Sequence, residues 1–307
     1  MQFRRTRCAD ISACVDLIDE RFLYADDELR DVERLCLELL RAGTAYSAVV
    51  TDERFSFPAA FGIAGFVDDE LADAYQRFQR SSISRDLFDR WRDGRSAFLS
   101  ERDIAGANAG RGVNCVVFAA GWRPIDVETR ELSSMKLTEG FMDVHLGIRF
   151  RSFTHQLFGE PPLTPKALGV SEIRSEEVQL ARASMLITAH RDSYAGDNFI
   201  ATQLFTKVEA PKIGFDRRSR EVLKFAMDGL SDDEIADEVG ITLQGVKKRW
   251  RQIFAIVRAA SPTVLGDRSL SDDDGKRGAE SRSIVLRYVR SNRAELHPYG
   301  LDATPLP

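Results

Sequence analysis

Between Asp216 and Phe254 the chain reads DRRSREVLKFAMDGLSDDEIADEVGITLQGVKKRWRQIF, and no other stretch narrows its folding so far. Asp216 or a neighbour opens a first helix that runs to about Asp228, with Val222, Leu223, Phe225 and Ala226 on its packing face. Gly229 follows the last periodic residue, where a left-handed C-terminal cap is wanted. Ser231-Asp232-Asp233-Glu234 has the form of a capping box and starts a second helix, Ser231 to Val239. Gly240 supplies a tight turn, since glycine tolerates positive φ. Thr242 then caps a third helix that runs to about Val257.

The spacing of Ala236, Gly240 and Val246 joins these helices. A close helix crossing needs a small residue, here Ala236, and Val246 pins the third helix to the first two. Val246, Trp250, Ile253 and Val257 form one face of that third helix, while the other presents Gln244, Lys247, Lys248, Arg249 and Arg251. From Thr242 to Arg258 there are five basic residues and no acid. A basic helix after a tight turn suggests a helix-turn-helix laid against DNA, where Lys and Arg read guanine edges or hold phosphates. The bland alternative is a three-helix packing module with a solvated basic face. Thr242, Gln244, Lys247, Lys248, Arg249 and Arg251 are the candidate DNA-binding residues, with Lys247 and Arg251 expected to be the most costly losses.

Glu221-Val222-Leu223, Gly229-Leu230-Ser231, Glu234-Ile235-Ala236, Gly240-Ile241-Thr242 and Val246-Lys247 together resemble the LuxR-type helix-turn-helix domain of bacterial transcription regulators. The resemblance covers about 50 residues and implies double-stranded DNA as the partner. Two positions depart from it. Gly245 stands where that family usually has Thr before the Val-Lys pair, and Ala259-Ala260-Ser261-Pro262 interrupts where it continues into a short dimerising helix. The tail Gly278 to Glu295 interleaves Ile284, Val285, Leu286, Tyr288 and Val289 with Arg282, Arg287, Arg290 and Arg293, as an amphipathic basic helix does. Docking on its own domain, pairing with a second copy and touching DNA are its three possible roles.

The net charge of −5 is unevenly spread. Lys212 to Glu295 holds 17 Lys+Arg and 14 Asp+Glu, net +3, so the acidity lies in the first 211 residues. Phosphate affinity follows local charge, and an acidic whole does not exclude DNA. The longest apolar runs fall far short of a membrane span of about 18–20 residues, and MQFRRTRCADISACVD lacks the apolar core of a signal peptide. The expectation is a cytoplasmic protein with no membrane partner. Cys8, Cys14, Cys36 and Cys115 form no C-x-x-C and no zinc spacing, so they read as reduced, mostly buried thiols and no metal is expected.

Ala210-Pro211-Lys212-Ile213-Gly214 marks a linker, and SLSDDDGKRG from Ser269 to Gly278 marks a loop or hinge. The resulting segments are 1–210, 211–262 and 263–307. The fold class expected is an α+β N-terminal sensory-like domain followed by an all-α helix-turn-helix DNA-binding domain. In the first segment, Ile11–Phe22, Glu28–Leu40, Asp69–Phe78 and Ser84–Trp91 have helical spacing, and Tyr46–Val50, Phe57–Val67, Asn114–Ala120 and Phe199–Val208 look like strands. Asp103–Gly112 reads as a loop, and Asp126–Gly159 as a long helical segment, broken near Gly140 or Gly147.

MQFRRTRCADISACVDLI resembles the opening strand and first helix of the acetyltransferase family. That family's pyrophosphate loop, Gln/Arg-x-x-Gly-x-Gly/Ala after a strand, is not matched: Ala107 precedes Gly110-Arg111-Gly112, and the strand comes afterwards. No nucleophile elbow, zinc-protease or Walker motif occurs, and His145, His155 and His190 are scattered. No catalytic residue and no cofactor is assigned. The reading is a sequence-specific DNA-binding transcriptional regulator whose first domain senses a ligand or partner. It acts as a homodimer on paired half-sites, with RNA polymerase a further partner. The alternatives are a sigma-factor-like promoter-recognition protein and an acetyltransferase-like enzyme fused to a DNA-targeting domain.

Overall fold

The computed structural model describes residues 1–54, 57–77, 82–123, 126–158, 172–176, 184–193, 202, 204–205, 208–265 and 275–300. The chain divides into two compact units, Met1–Lys207 and Val208–Pro307.

The first unit is built on seven strands: β1 Gln2–Arg5, β2 Ala45–Thr51, β3 Ala60–Val67, β4 Val113–Trp122, β5 Phe150–Phe158, β6 Glu172–Glu176 and β7 Ser184–His190. They lie in the order β1-β2-β3-β4-β5-β7-β6. Every neighbouring pair is antiparallel except β4 and β5, which run parallel. A parallel pair needs a crossover, and α6 (Val127–His145) supplies it. The other helices are α1 Ile11–Val15, α2 Leu29–Ala42, α3 Asp69–Gln76, α4 Ile83–Arg92 and α5 Glu101–Ala109.

Helices cover both faces of this sheet. Val49, Phe61, Ile63, Val116 and Phe118 point to one core with residues of α1 to α4. Ala48, Val50, Ala60, Ala64, Cys115 and Val117 point to the other with α5 and α6. With both faces buried, β4 is apolar on both sides, which explains its continuous hydrophobic run.

This arrangement corrects the expected class of an α+β sensory-like domain followed by an all-α helix-turn-helix DNA-binding domain. Helices alternate with strands and sandwich one mixed sheet that holds a parallel pair. The second unit carries the tail packed on its own domain, one of the three roles open to it from the sequence. Its helices α7 Arg217–Met227, α8 Asp232–Val239, α9 Leu243–Ala260, α10 Pro262–Leu265 and α11 Gly275–Ser291 share one core that includes Val222, Val246, Trp250, Leu265, Val285, Val289 and Leu296.

Several elements differ from the sequence reading. Residues 101–109, read mostly as loop, form α5, closed at its start by a capping box of Ser100 and Asp103. The long segment from 126 to 159 is α6 followed by β5. Gly140 does not break α6; it lets the helix approach the sheet, since a Cβ there would sit 2.9 Å from Ala48 Cβ. In the stretch read as Ile11–Phe22, α1 ends at Val15 and a 3-10 turn follows over Asp19–Leu23. In the stretch read as a strand over 199–208, Thr202, Leu204 and Phe205 are helical. Of the break read at 269–278, residues 269–274 lie outside the described ones and 275–278 belong to α11.

Candidate nucleic-acid interface

Local signals set each helix of the second unit. Asp216 caps α7, accepting from the Ser219 amide at 3.0 Å and the Ser219 hydroxyl at 2.9 Å. Ser231 caps α8: its hydroxyl accepts from the Glu234 amide at 3.3 Å, and the Glu234 carboxylate accepts from the Ser231 amide at 2.9 Å. Gly240 is left-handed at φ 68°, and the Ile241 amide donates back to the Ala236 carbonyl at 3.0 Å, closing the turn. Thr242 caps α9 through the Gly245 amide at 3.1 Å. Ala236 and Val246 are buried, as a close crossing requires.

Val246, Trp250, Ile253, Phe254 and Val257 form the buried face of α9. Gln244, Lys247, Lys248 and Arg251 are exposed and recur at i, i+3, i+4 and i+7, one stripe of a helix. Thr242 is exposed at the head of that stripe. The structure separates Arg249 from this group. One residue beyond Lys248 rotates it off the stripe, where it is half-buried and pairs with both oxygens of Asp216 at 3.2 Å. Its charge braces α9 against the start of α7. The preceding helix α8 exposes Asp233, Glu234 and Asp237, which repel phosphate and leave α9 as the attractive side of the turn.

The last helix supports the site in a way the sequence did not reveal. Arg282 of α11 lies over the Trp250 ring at 4.4 Å from its centroid and donates to Asp232 at 2.6 Å. One side chain thus ties α11 to α8 and α9. The alternation of Arg with apolar residues in the tail signals a docked amphipathic helix, but not which arginine docks. Beyond α11, Glu295 is buried within the 3-10 turn Arg293–Leu296 and accepts from the amides of Lys212, Ile213 and Gly214 at 2.8, 2.9 and 2.9 Å. Tyr288 donates to the same carboxylate at 2.7 Å; burial and then that carboxylate push its phenol well above its usual range.

Several polar side chains of the first unit hydrogen-bond one another. Asn114 donates to Asp69 at 2.8 Å and accepts from Ser152 at 2.8 Å. His190 Nε2 donates to Gln76 at 2.7 Å, and Gln76 donates to Thr154 at 3.2 Å. His145 is buried, with Nδ1 donating to the Phe141 carbonyl at 2.7 Å. Burial lowers the pKa of His155 to about 4, so its ring is neutral near neutral pH. Cys14, Cys36 and Cys115 are buried, and loss of solvent raises all three thiols, Cys36 to about 12. Among the described residues no group of three or more His, Cys, Asp or Glu is arranged to hold a metal, and no helix is long and apolar enough to cross a membrane.

No family model and no curated protein matches the chain. Among solved structures, it is similar to a protein from Desulfovibrio desulfuricans assigned to the GNAT family of acetyltransferases. The identity is 11%, the TM-score 0.34, and the match covers 61% of this chain and 97% of the other. At that score the likeness carries no argument.

Gly110-Arg111-Gly112, the glycine-bearing stretch that departs from the acetyltransferase diphosphate-loop pattern, lies in the turn between α5 and β4. The segment that does follow β4 and open a helix is Arg123-Pro124-Ile125-Asp126, which holds no glycine. Asp126 caps α6 there, accepting from the Thr129 amide at 2.8 Å, a bond that holds its carboxyl below the usual range. A diphosphate at that helix start would meet a fixed carboxylate, so the residues present do not suit it.

Proposed function

We propose that this chain is a DNA-binding transcriptional regulator of the bacterial cytoplasm, and that α9 is its recognition helix. One observation carries the reading: Lys247, Lys248 and Arg251 stand exposed on one stripe of the helix that follows the Gly240 turn, and that helix contains no acid. Gln244 heads the stripe, where a recognition helix reaches base edges, and its amide suits adenine. Lys247 and Arg251 suit guanine or flanking phosphates. Arg249, held by Asp216, acts on the positioning of the helix rather than on DNA.

The resemblance of residues 216–254 to LuxR-type domains favours the same assignment. Two copies on paired half-sites gain the affinity that a single short helix lacks. The first unit serves as a sensory or partner-binding module.

The test is binding of the full chain to duplex DNA, followed by fluorescence anisotropy at several salt concentrations. Wild type binds with affinity that falls steeply as salt rises. Lys247→Ala with Arg251→Ala loses most of that affinity while its unfolding curve is unchanged. A double variant that binds as well as wild type sinks the assignment of α9.

A further inference from the structure

Arginines gather at the end of the sheet where β4 and β5 begin. The turn Gly110-Arg111-Gly112 abuts the stretch Arg149-Phe150-Arg151 directly. Gly112 has φ 99°, and a Cβ on it would lie 2.8 Å from the Arg149 carbonyl oxygen and 2.8 Å from the Arg151 amide, so only glycine lets the two segments meet. The buried Asn108 side chain fixes the second segment by accepting the Arg149 amide at 2.7 Å. The β4–β5 register then steps from Val113–Phe150 to Asn114–Ser152, which leaves Arg151 unpaired as a bulge. A bulge re-aims its side chain, and that of Arg151 pairs with Asp69 Oδ2. Arg111 pairs with the same oxygen at 3.3 Å.

Arg149 and Arg191 complete the group. Arg191 follows β7, and its Nε donates at 2.7 Å to the carbonyl of Phe150, the residue between Arg149 and Arg151. Its Nη1 donates to the Phe205 carbonyl at 3.1 Å. Arg149 Nη1 donates at 2.7 Å to the Gly110 carbonyl, beside Arg111. Among the described residues neither guanidinium has a carboxylate within ion-pair distance, and Arg149 Nε and Arg191 Nη2 are buried without a hydrogen-bond partner. Burial, and then the charge of Arg149, push the Arg191 guanidinium below its usual range; the exposed Asp192 beside it offsets this only in part. Four arginines thus face two carboxylates, Asp69 and Asp192. Carbonyl oxygens hold a guanidinium but do not neutralise it, and half-buried like charges cost free energy until an anion joins them. The guanidinium fork matches the paired oxygens of phosphate and carboxylate groups.

We propose that this end of the sheet binds a small oxyanion, the phosphate or carboxylate group of a soluble ligand, through Arg111, Arg149, Arg151 and Arg191. Asp69 competes with the anion for Arg111 and Arg151, which keeps the affinity moderate. The site lies wholly within the first unit, and its use as a signal input rests on the reading of that unit as a sensory module.

The experiment is calorimetric titration of the full chain with inorganic phosphate and with citrate, each compared with sodium chloride at the same ionic strength. One saturable site is expected for at least one of the two probes, and the probe that fills it identifies the oxyanion. Arg111→Ala, at an exposed side chain, should weaken that binding by up to about fivefold, the worth of one exposed charge contact. Asp69→Asn, which frees Arg111 and Arg151, should strengthen it by about as much. Urea unfolding checks that each variant is folded, and Arg111→Ala carries the test alone if Asp69→Asn is not. Binding no stronger than the chloride control for both probes overturns the proposal. So does binding that Arg111→Ala leaves unaltered, because the anion then sits elsewhere.

Duplex affinity, measured with the bound probe and again in chloride at matched ionic strength, separates the site from its use. A change supports the oxyanion as a signal. If the probe binds as expected and duplex affinity stays the same, the site stands and the sensory reading of the first unit falls.

Discussion

Glu295 accepts the amide of Gly214 at 2.9 Å across 81 residues of sequence, and so fastens the end of the chain's helical unit to its beginning. The same carboxylate takes the amides of Lys212 and Ile213 and the Tyr288 hydroxyl, which fills its acceptor sites without a basic partner. A buried carboxylate is tolerable only when so fully bonded.

Glu295→Ala removes four hydrogen bonds and strands three backbone donors at a buried site. The expected loss is roughly 3 kcal/mol or more in the second unit, read by urea unfolding. The Tyr288 phenol, relieved of the neighbouring negative charge, should ionise at lower pH than in wild type. A variant as stable as wild type would mean that water replaces the carboxylate at no cost.

The first unit should show an acid transition traceable to Glu28. Arg85 donates to it through two nitrogens at 2.6 and 3.0 Å, and Arg92 adds a third bond at 2.5 Å. The Arg85 bonds come first among the causes that lower its pKa from 4.5 to about 2. A depressed carboxyl pKa adds stability that is complete above the unfolded value and disappears as pH falls through the folded one. The stability gained from Glu28 should therefore fade between about pH 4.5 and pH 2. Glu28→Gln should flatten the pH dependence in that window and leave the rest of the acid limb in place.

How much of this was legible in the sequence depends on where each signal resides. The helices α7, α8 and α9 announce themselves by local chemistry: Asp216, Ser231 and Thr242 as caps and Gly240 at the turn. β5 does not. Its inward positions include Ser152, Thr154 and Gln156, so the strand lacks an alternating apolar code. What satisfies them is distant: Asn114, Gln76 and the Ile83 amide. The apolar residues that remain, Phe150, Phe153 and Leu157, happen to fit a helical spacing and extend the apparent helix past His145. Composition groups Arg249 with the exposed cations, since it cannot show that Asp216 lies beside it, 33 residues earlier in the chain.

Gly121 on β4 makes a sharp stability prediction. A Cβ at this position would lie 1.7 Å from the Leu17 carbonyl oxygen, because the chain after α1 pairs with β4 through an Ile18–Gly121 bridge. Nearby, Phe22 stacks edge-on against Phe158 of β5 at 5.2 Å. This segment therefore spans β4 and β5 beyond Val116 and Thr154, where their ladder ends. Gly121→Ala should lift the segment away, cost about 3 kcal/mol, and raise hydrogen exchange selectively over residues 16–24. Gly62→Ala is the control. Its Cβ meets only Leu137 side-chain atoms, the nearest at 3.6 Å, so the change should be neutral or mildly stabilising. Equal losses at both positions would rule out the close approach as the cause.

Gly245 offers the opposite case, a glycine that the structure does not require. It sits in the first turn of α9, where its amide donates to Thr242, and its φ is not left-handed. A Cβ there would make contacts of 3.4 Å with Ile241 Cβ and Thr242 Oγ1, close to ordinary van der Waals distance. Glycine in a helix costs about 0.5–1 kcal/mol relative to alanine, chiefly through freedom lost on folding. Gly245→Ala should therefore move the urea midpoint upward by that amount, with no change in the slope of unfolding. The stripe of Gln244, Lys247, Lys248 and Arg251 is untouched, so any change in duplex affinity should stay small. A stabilised variant that loses DNA binding would show that the bare backbone at position 245 is needed for close approach to the duplex.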